Sequence, residues 1–311
     1  MNPHPSSSRE EDTPSGKLDI CCGMENVPVF AEGDQQFKSD FEYTQSNVLG
    51  PGLVGTDPKE VQYCGCSCKV SSCGPSCLCL ERFGPNYTPS GKLLQIEKRP
   101  PGQATSDPLA VISKPIFECN ASCKCGEECV NRLVQHGIHH KLEVFRTRHK
   151  GWGLRVLESI EENAFMCEYA GEVLTKGEAK IRMQNMRKDD MNYIFVLKEN
   201  FGGRSAMETF IDARLKGSIA RFINHSCEPN LFLFAVRVHN EVPRVAMFAR
   251  RGIKPGEELS YEYCGNVDRP NDDSTKGGTT DLCKNHPRKL CMCESLSCQK
   301  YLPSDMSIYS T

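Results

Sequence analysis

The sequence predicts a mainly β fold preceded by a segment whose interior is thiol rather than hydrocarbon. Two observations predict it. Short apolar alternations bounded by Gly and Asn recur from residue 142 onward, and nine of the 19 cysteines fall into two regularly spaced clusters between 66 and 129. The chain has 311 residues, 38% hydrophobic and 25% charged, so an ordinary core is available to the β part.

Taken in order, residues 1–60 read as an N-terminal arm. Its first stretch, "MNPHPSSSREEDTPSGK", is rich in Pro, Ser and charge and is expected to be disordered; 18–60 is weakly patterned, with little chemistry expected. No apolar run marks a signal peptide or a membrane span, so an interior compartment, cytosol or nucleus, and no membrane partner are expected. The formal net charge of -2 argues against a nucleic-acid coat, and sequence-specific DNA binding is not expected; a cationic partner is permitted.

Residues 61–132 hold the two clusters, Cys66, Cys68, Cys73, Cys77 and Cys79, then Cys119, Cys123, Cys125 and Cys129. An irregular insertion containing "RPPGQATSDP" separates them, so the clusters must meet in space. In a reducing compartment such thiols point to zinc. Nine ligands are too many for two tetrahedral ions and too few for three unless sulfurs bridge; six terminal and three bridging thiolates satisfy three ions. Cys64 is left over, and Cys21, Cys22, Cys167 and Cys283 have no evident role.

The strands come next: "LEVFRT", "GLRVL", "AFMCEYAGEVL", "NYIFVL", "METFID", "LFLFAVRV", "RVAMFA" and "ELSYEY". One helix interrupts them at about 176–187, where Thr175 and Glu178 have capping-box spacing. By the two-residue strand period, Leu259, Tyr261 and Tyr263 share one face, as do Tyr193 and Phe195. Such rings form either an aromatic core or a channel for a methylated ammonium. The decamer "RFINHSCEPN" at 221–230 crowds polar atoms that burial would oblige to pair. At the end "CMCESLSC" offers only three ligands, Cys291, Cys293 and Cys298; Cys227 fits either the missing fourth or a small buried hydrophobe.

In this order the motifs resemble those of a known family. The nine cysteines resemble a pre-SET zinc cluster; "KGWGLR", "EYAGEVL", "NYIF", "RFINHSCEPN" and "ELSYEYCG" resemble a SET domain; "CMCESLSC" resembles a post-SET tail. The chain from about 61 to 304 is thus similar to pre-SET-bearing histone-lysine N-methyltransferases. The resemblance implies a SET-domain fold of small curved sheets with a pseudoknot. It divides the chain into a pre-SET cluster at 61–132, a SET domain at 137–264, an insertion or linker at 265–290 and a post-SET zinc motif at 288–304. It implies S-adenosyl-L-methionine as methyl donor, four zinc ions (three pre-SET, one post-SET), a histone H3 tail or nucleosome as partner, and a place in the nucleus on the chromosome.

The resemblance also assigns residues. Cys227 becomes the fourth ligand of the post-SET zinc. Tyr263 is the main catalytic tyrosine, Tyr169 a second one at the transfer pore, and Phe195 and Tyr261 line the channel. Lys150, Gly151, Trp152, Tyr193, Arg221, Asn224 and His225 contact the methyl donor, and Tyr301 covers its adenine. Tyr, not Phe, at 261 implies mono- or dimethylation. Cys264 departs from the family's usual Gly or Ser. A rival reading is a catalytically weak, zinc-stabilised chromatin adaptor; Tyr169, Tyr263, Asn224 and His225 occurring together argue against it.

Overall fold

The computed structural model describes residues 18–33, 40–51, 56–69, 71–74, 76–94, 116–187, 190–199, 207–263 and 289–303. The expected disorder of 1–17, Cys264, Cys283, and most of both the inter-cluster insertion and the 265–290 link lie outside these residues. In chain order the strands are β1 (Phe30–Ala31), β2 (Glu42–Tyr43), β3 (Val48–Leu49), β4 (Ile116–Phe117), β5 (Leu142–Arg146), β6 (Trp152–Val156), β7 (Phe165–Tyr169), β8 (Gly171–Leu174), β9 (Ile194–Glu199), β10 (Met207–Gly217), β11 (Asn224–His225), β12 (Leu231–Arg237), β13 (Arg244–Ala249) and β14 (Ser260–Tyr261). Two helices, α1 (Leu78–Phe83) and α2 (Lys176–Gln184), accompany them. Among the described residues no helix is long and apolar enough to cross a membrane.

The strands make small separate sheets. The β5–β6 hairpin carries β1; the β12–β13 hairpin is flanked by β4 and β7; and β10 pairs with β8, β9 and β2, with β3 beyond β8. β11 and β14 pair parallel, Asn224 opposite Ser260 and His225 opposite Tyr261. That pair lays the polar decamer beside the aromatic strand.

Two expectations change. "AFMCEYAGEVL" is not one strand: it breaks at Ala170, so that β7 and β8 enter different sheets. The Ala170 N–H donates to Ser218 Oγ and the Gly171 N–H to Asn47 Oδ1, so side chains replace the ladder there. A Cβ at Gly171 would lie 2.4 Å from the Asp212 carbonyl oxygen, which is why the bend needs glycine. The weakly patterned arm, in turn, is part of the sheets: β1 joins β5, β2 joins β10 and β3 joins β8. Two-residue strands carry no readable period, and only their long-range partners define them.

α2 starts as its cap predicts, with Glu178 N donating to Thr175 Oγ1 at 3.1 Å, and ends at Gln184. Arg182 fastens it to the sheet through Glu172 at 2.8 Å and the buried Asp212 at 2.7 Å. The main core gathers Val144, Leu154, Met166, Ile211, Val245 and Met247 from the three larger sheets, with Ile223 and Leu259 just ahead of β11 and β14. Tyr87, Phe165, Phe232, Phe234 and Phe248 form a second cluster under the β12–β13 hairpin.

Candidate active site and metal centres

The crowded decamer begins on a turn of 3-10 helix, Ile219–Phe222, capped by Ser218, whose hydroxyl accepts from Ala220 N and donates to Glu168 O at 2.6 Å. Its polar atoms then find partners one by one. Asn224 Nδ2 donates to Trp152 O at 3.1 Å and to Glu258 Oε1 at 3.0 Å, and the other Glu258 oxygen receives Lys150 Nζ at 2.7 Å. Asn230 donates to Glu258 O at 2.8 Å and accepts from Ser260 N at 2.8 Å. The half-buried Glu258 therefore joins the "KGWGLR" loop, the decamer and the last strand. Sequence reasoning passed it over, because the strand period put it on the face opposite the tyrosines and nothing local marks a shared acceptor.

Backbone conformation serves the same junction. Gly151 has φ of 77°, the left-handed region, in a loop closed by Thr147, whose hydroxyl accepts from Lys150 N and donates to Gly151 O. At Gly153 a Cβ would stand 3.1 Å from Glu258 Oε1 and 3.2 Å from Asn224 Nδ2, so the missing side chain lets them approach. Trp152 opens β6 and is half-buried, with the Arg146 guanidinium 4.6 Å from its ring.

Four rings meet beside this network. Tyr169 lies 5.4 Å from Phe195 and 6.4 Å from Tyr261; Phe195 and Tyr261 are 6.4 Å apart; Tyr261 and Tyr263 are 4.8 Å apart. They come from the end of β7, from β9, and from β14 and the residues just after it. Tyr169 donates its hydroxyl to Tyr193 O at 2.7 Å and Tyr263 to Ile223 O at 3.1 Å. Burial pushes the hydroxyls of Tyr169, Tyr261 and Tyr263 above the ordinary tyrosine range, so all three are neutral phenols near pH 7.

His225 links the rings to the tail. Its Nδ1 accepts from the Tyr263 backbone N–H at 3.2 Å, which assigns the proton of a neutral imidazole to Nε2, 3.4 Å from Cys227 Sγ. Arg221 is also brought here, with its guanidinium 4.5 Å from the Tyr193 ring and its Nε donating to Ala213 O. Tyr301 is half exposed at a backbone bridge to Leu290.

The cysteines of both segments gather in space. Groups whose sulfurs lie within 4.8 Å of one another are Cys66, Cys79, Cys119, Cys123; Cys66, Cys73, Cys119, Cys125; Cys66, Cys68, Cys73, Cys77; and Cys227, Cys291, Cys293, Cys298. Cys129 adjoins the set, its sulfur accepting from Cys73 N at 3.3 Å. Backbone N–H groups also reach Cys123 from Cys66 and Asn120, and Cys227 from Gln299, each at 3.3 Å. Such donors suit sulfur that carries charge. Hydrogen bonding from Cys119 lowers the Cys129 and Cys79 thiols below the ordinary range, while burial raises those of Cys73 and Cys123. Groups of four soft sulfurs with no oxygen donor fit zinc. Cys64 and Cys22 are exposed and outside every group, while Cys21 and Cys167 are buried in the main core.

Known proteins resemble the chain along most of its length. A Pre-SET motif model matches residues 22–132, reaching well into the arm, and a SET domain model matches 151–264. The chain is 42% identical over 306 residues to the mouse histone-lysine N-methyltransferase SETMAR, covering 97% of this chain and 94% of that protein. The crystal structure of the human SETMAR methyltransferase domain superposes with a TM-score of 0.74 at 38% identity, covering 93% of this chain and 98% of that one. KRYPTONITE, solved with mCHH DNA, an H3(1-15) peptide and SAH, superposes at 0.64 with 30% identity, covering 94% of this chain and 55% of that one. With motifs, fold and near-full-length identity in agreement, the chain belongs to the pre-SET and SET-domain family of histone-lysine N-methyltransferases.

Proposed function

We propose that this enzyme methylates a lysine of the histone H3 tail, with S-adenosyl-L-methionine as donor, and that it stops mainly at mono- or dimethyllysine. The observation that carries the reading is the meeting of Tyr169, Phe195, Tyr261 and Tyr263 beside the Asn224–Glu258–Lys150 network. A relative solved with an H3 peptide and SAH supports it. Nuclear, chromosomal action follows from such a substrate.

S-adenosyl-L-methionine supplies an electrophilic methyl group and, as a sulfonium, positive charge beside the amine. The chain's own part is positioning and desolvation. An apolar aromatic channel disfavours the ammonium form of the substrate lysine, whose ordinary pKa is about 10.4. Tyr169 and Tyr263 have each committed their proton to a backbone carbonyl, so their oxygens present lone pairs that accept from the amine and aim its own lone pair in line. Lys150, Gly151, Trp152, Tyr193, Arg221, Asn224 and His225 form the donor side. In the metal centres Cys66 recurs in three groups and Cys73 and Cys119 in two each, which supports these three as the bridging thiolates of a three-zinc cluster. Cys227 with the tail triad then holds a fourth ion.

The test is transfer of labelled methyl groups to a histone panel, read by mass spectrometry at saturating donor. Mono- and dimethyl H3 products are expected, and Tyr261→Phe, which removes a hydroxyl from the space where a methylated amine must turn, is expected to shift them toward trimethyllysine at a similar rate. Equal trimethyllysine from both proteins refutes the Tyr261 limit, and no transfer to H3 refutes the substrate.

A further inference from the structure

Arg221 opens the decamer, and the geometry around it involves the arm as much as the site. Its side chain is 4% exposed. The guanidinium carbon lies 4.1 Å from the centre of the Phe41 ring, 4.5 Å from that of Tyr193 and 5.2 Å from that of Phe222. Nε donates to Ala213 O at 3.1 Å and Nη2 to Arg214 O at 3.4 Å, while the mostly exposed Asp40 stands 3.6 Å from Nη1. Aromatic rings and backbone carbonyls thus surround the cation.

What Arg221 holds is the backbone that aims Tyr169. The Tyr193 carbonyl accepts from Ala213 N at 3.2 Å and from Tyr169 OH at 2.7 Å. Arg221 grips this segment twice, stacking on the Tyr193 ring and bonding the Ala213 carbonyl. Phe41 lies against the same guanidinium and packs edge-on against Phe222 at 5.7 Å. It is delivered there by β2, which follows it directly and pairs with Lys216 and Gly217 of β10. Tyr43, the next residue but one, anchors that strand by donating to Glu25 Oε1 at 2.5 Å.

We propose that Phe41 is a positioning residue for methyl transfer: the stack Phe41–Arg221–Tyr193 fixes the carbonyl that orients the Tyr169 hydroxyl. The proposal rests on Tyr169 acting at the transfer pore. A buried cation–π contact of about 1.4 kcal/mol corresponds to about tenfold in rate if it is spent on orientation. Loss of the ring therefore lowers kcat more than it raises the KM for the donor, which Tyr193 also faces, because orientation of the amine is felt in the transition state more than in donor binding.

The experiment uses the full, zinc-loaded chain and an H3 peptide. Phe41→Leu is expected to lower kcat about tenfold with donor KM within about twofold, and Phe41→Trp, which restores a π face, to recover most of the loss. In a double-mutant cycle, Phe41→Leu on the Tyr169→Phe background is expected to cost almost nothing more, since the hydroxyl it orients is gone. Full multiplication of the two effects, a loss confined to donor KM, or parental turnover in Phe41→Leu each overturns the proposal. Should Phe41→Leu lower zinc content or melt more than about 5 °C early, beyond about 1 kcal/mol of stability, Phe41→Met is read against the same outcomes. If Tyr169→Phe alone turns over like the parent, the pore assignment itself falls; if it is impaired while Phe41→Leu is not, only the positioning role falls.

Discussion

Under the β12–β13 hairpin Phe248 is fully buried against the rings of Tyr87, Phe165, Phe232 and Phe234, whereas between Cys66 and Cys129 the buried cluster is seven cysteines and Leu80. Hydrocarbon removed from water is stabilised by that removal alone. Crowded sulfurs are not: thiols gain little from one another and thiolates repel, so the second interior needs a cation to exist. One region is stable on its own account, and the other is conditional.

The sharpest way to break this comparison is to take the metal away. A structural zinc in a cysteine site is worth about 10–16 kcal/mol at pH 7, more than a domain's whole net stability. Chelation is expected to strip hydrogen-exchange protection from 119–129 while β12 and β13 stay protected, and elemental analysis before it to find four zincs. Full protection of 119–129 in zinc-free protein would show that sulfur packs there as hydrocarbon does.

Next in size is the reciprocal damage. Phe248→Ala is expected to cost about 3–5 kcal/mol in denaturant unfolding while zinc content stays at the parental value. Loss of zinc in step with stability would mean that the two interiors are one cooperative unit.

Chemistry should be separable from both. Tyr263→Phe keeps ring and fold and removes one hydroxyl; methyl transfer is expected to fall about 10²-fold, about 2.7 kcal/mol, with melting and zinc content unchanged. Near-parental turnover would dismiss Tyr263 from the catalytic pair.

The smallest effect probes a costly polar group on the hydrocarbon side. Glu168 is 5% exposed, its Oε1 finds no hydrogen-bond partner among the described residues, and Arg244 reaches only the other oxygen, at 3.3 Å. Burial pushes its carboxyl up to about 7 from an ordinary 4.5. A carboxyl raised on folding contributes stability that is complete below the unfolded value and is lost as pH rises through the folded one. Between pH 6 and 8, where zinc stays bound, the parent should therefore lose about 1 kcal/mol relative to Glu168→Gln. Parallel pH profiles would show that Arg244 keeps Glu168 ionised throughout.

The conditional region was more legible in the sequence than the self-sufficient one. Metal ligation demands particular residues at particular spacings, so Cys66 to Cys129 and the tail triad announce themselves. The strands were visible by period, and Tyr169, Tyr261 and Tyr263 by motif order. Glu258 was not, because a shared acceptor is defined by three partners distant in sequence. Phe41 was not, because a two-residue strand has no period and a cation–π contact leaves no local trace. The break at Ala170 was hidden by apolar residues that run on through two sheets.

The parallel pairing of β11 with β14, and the meeting of Cys227 with Cys291, Cys293 and Cys298, also set an order in time. A chain made from its N-terminus exposes the decamer well before the partners that complete it, and contacts of such sequence separation are slow to close. The sheets around β12 and β13 can therefore form on a nascent chain while the wall beside His225 still stands open. Catalytic competence should arrive last, as a discrete step once the tail triad emerges, so that a chain arrested before residue 291 would be folded in its core and idle.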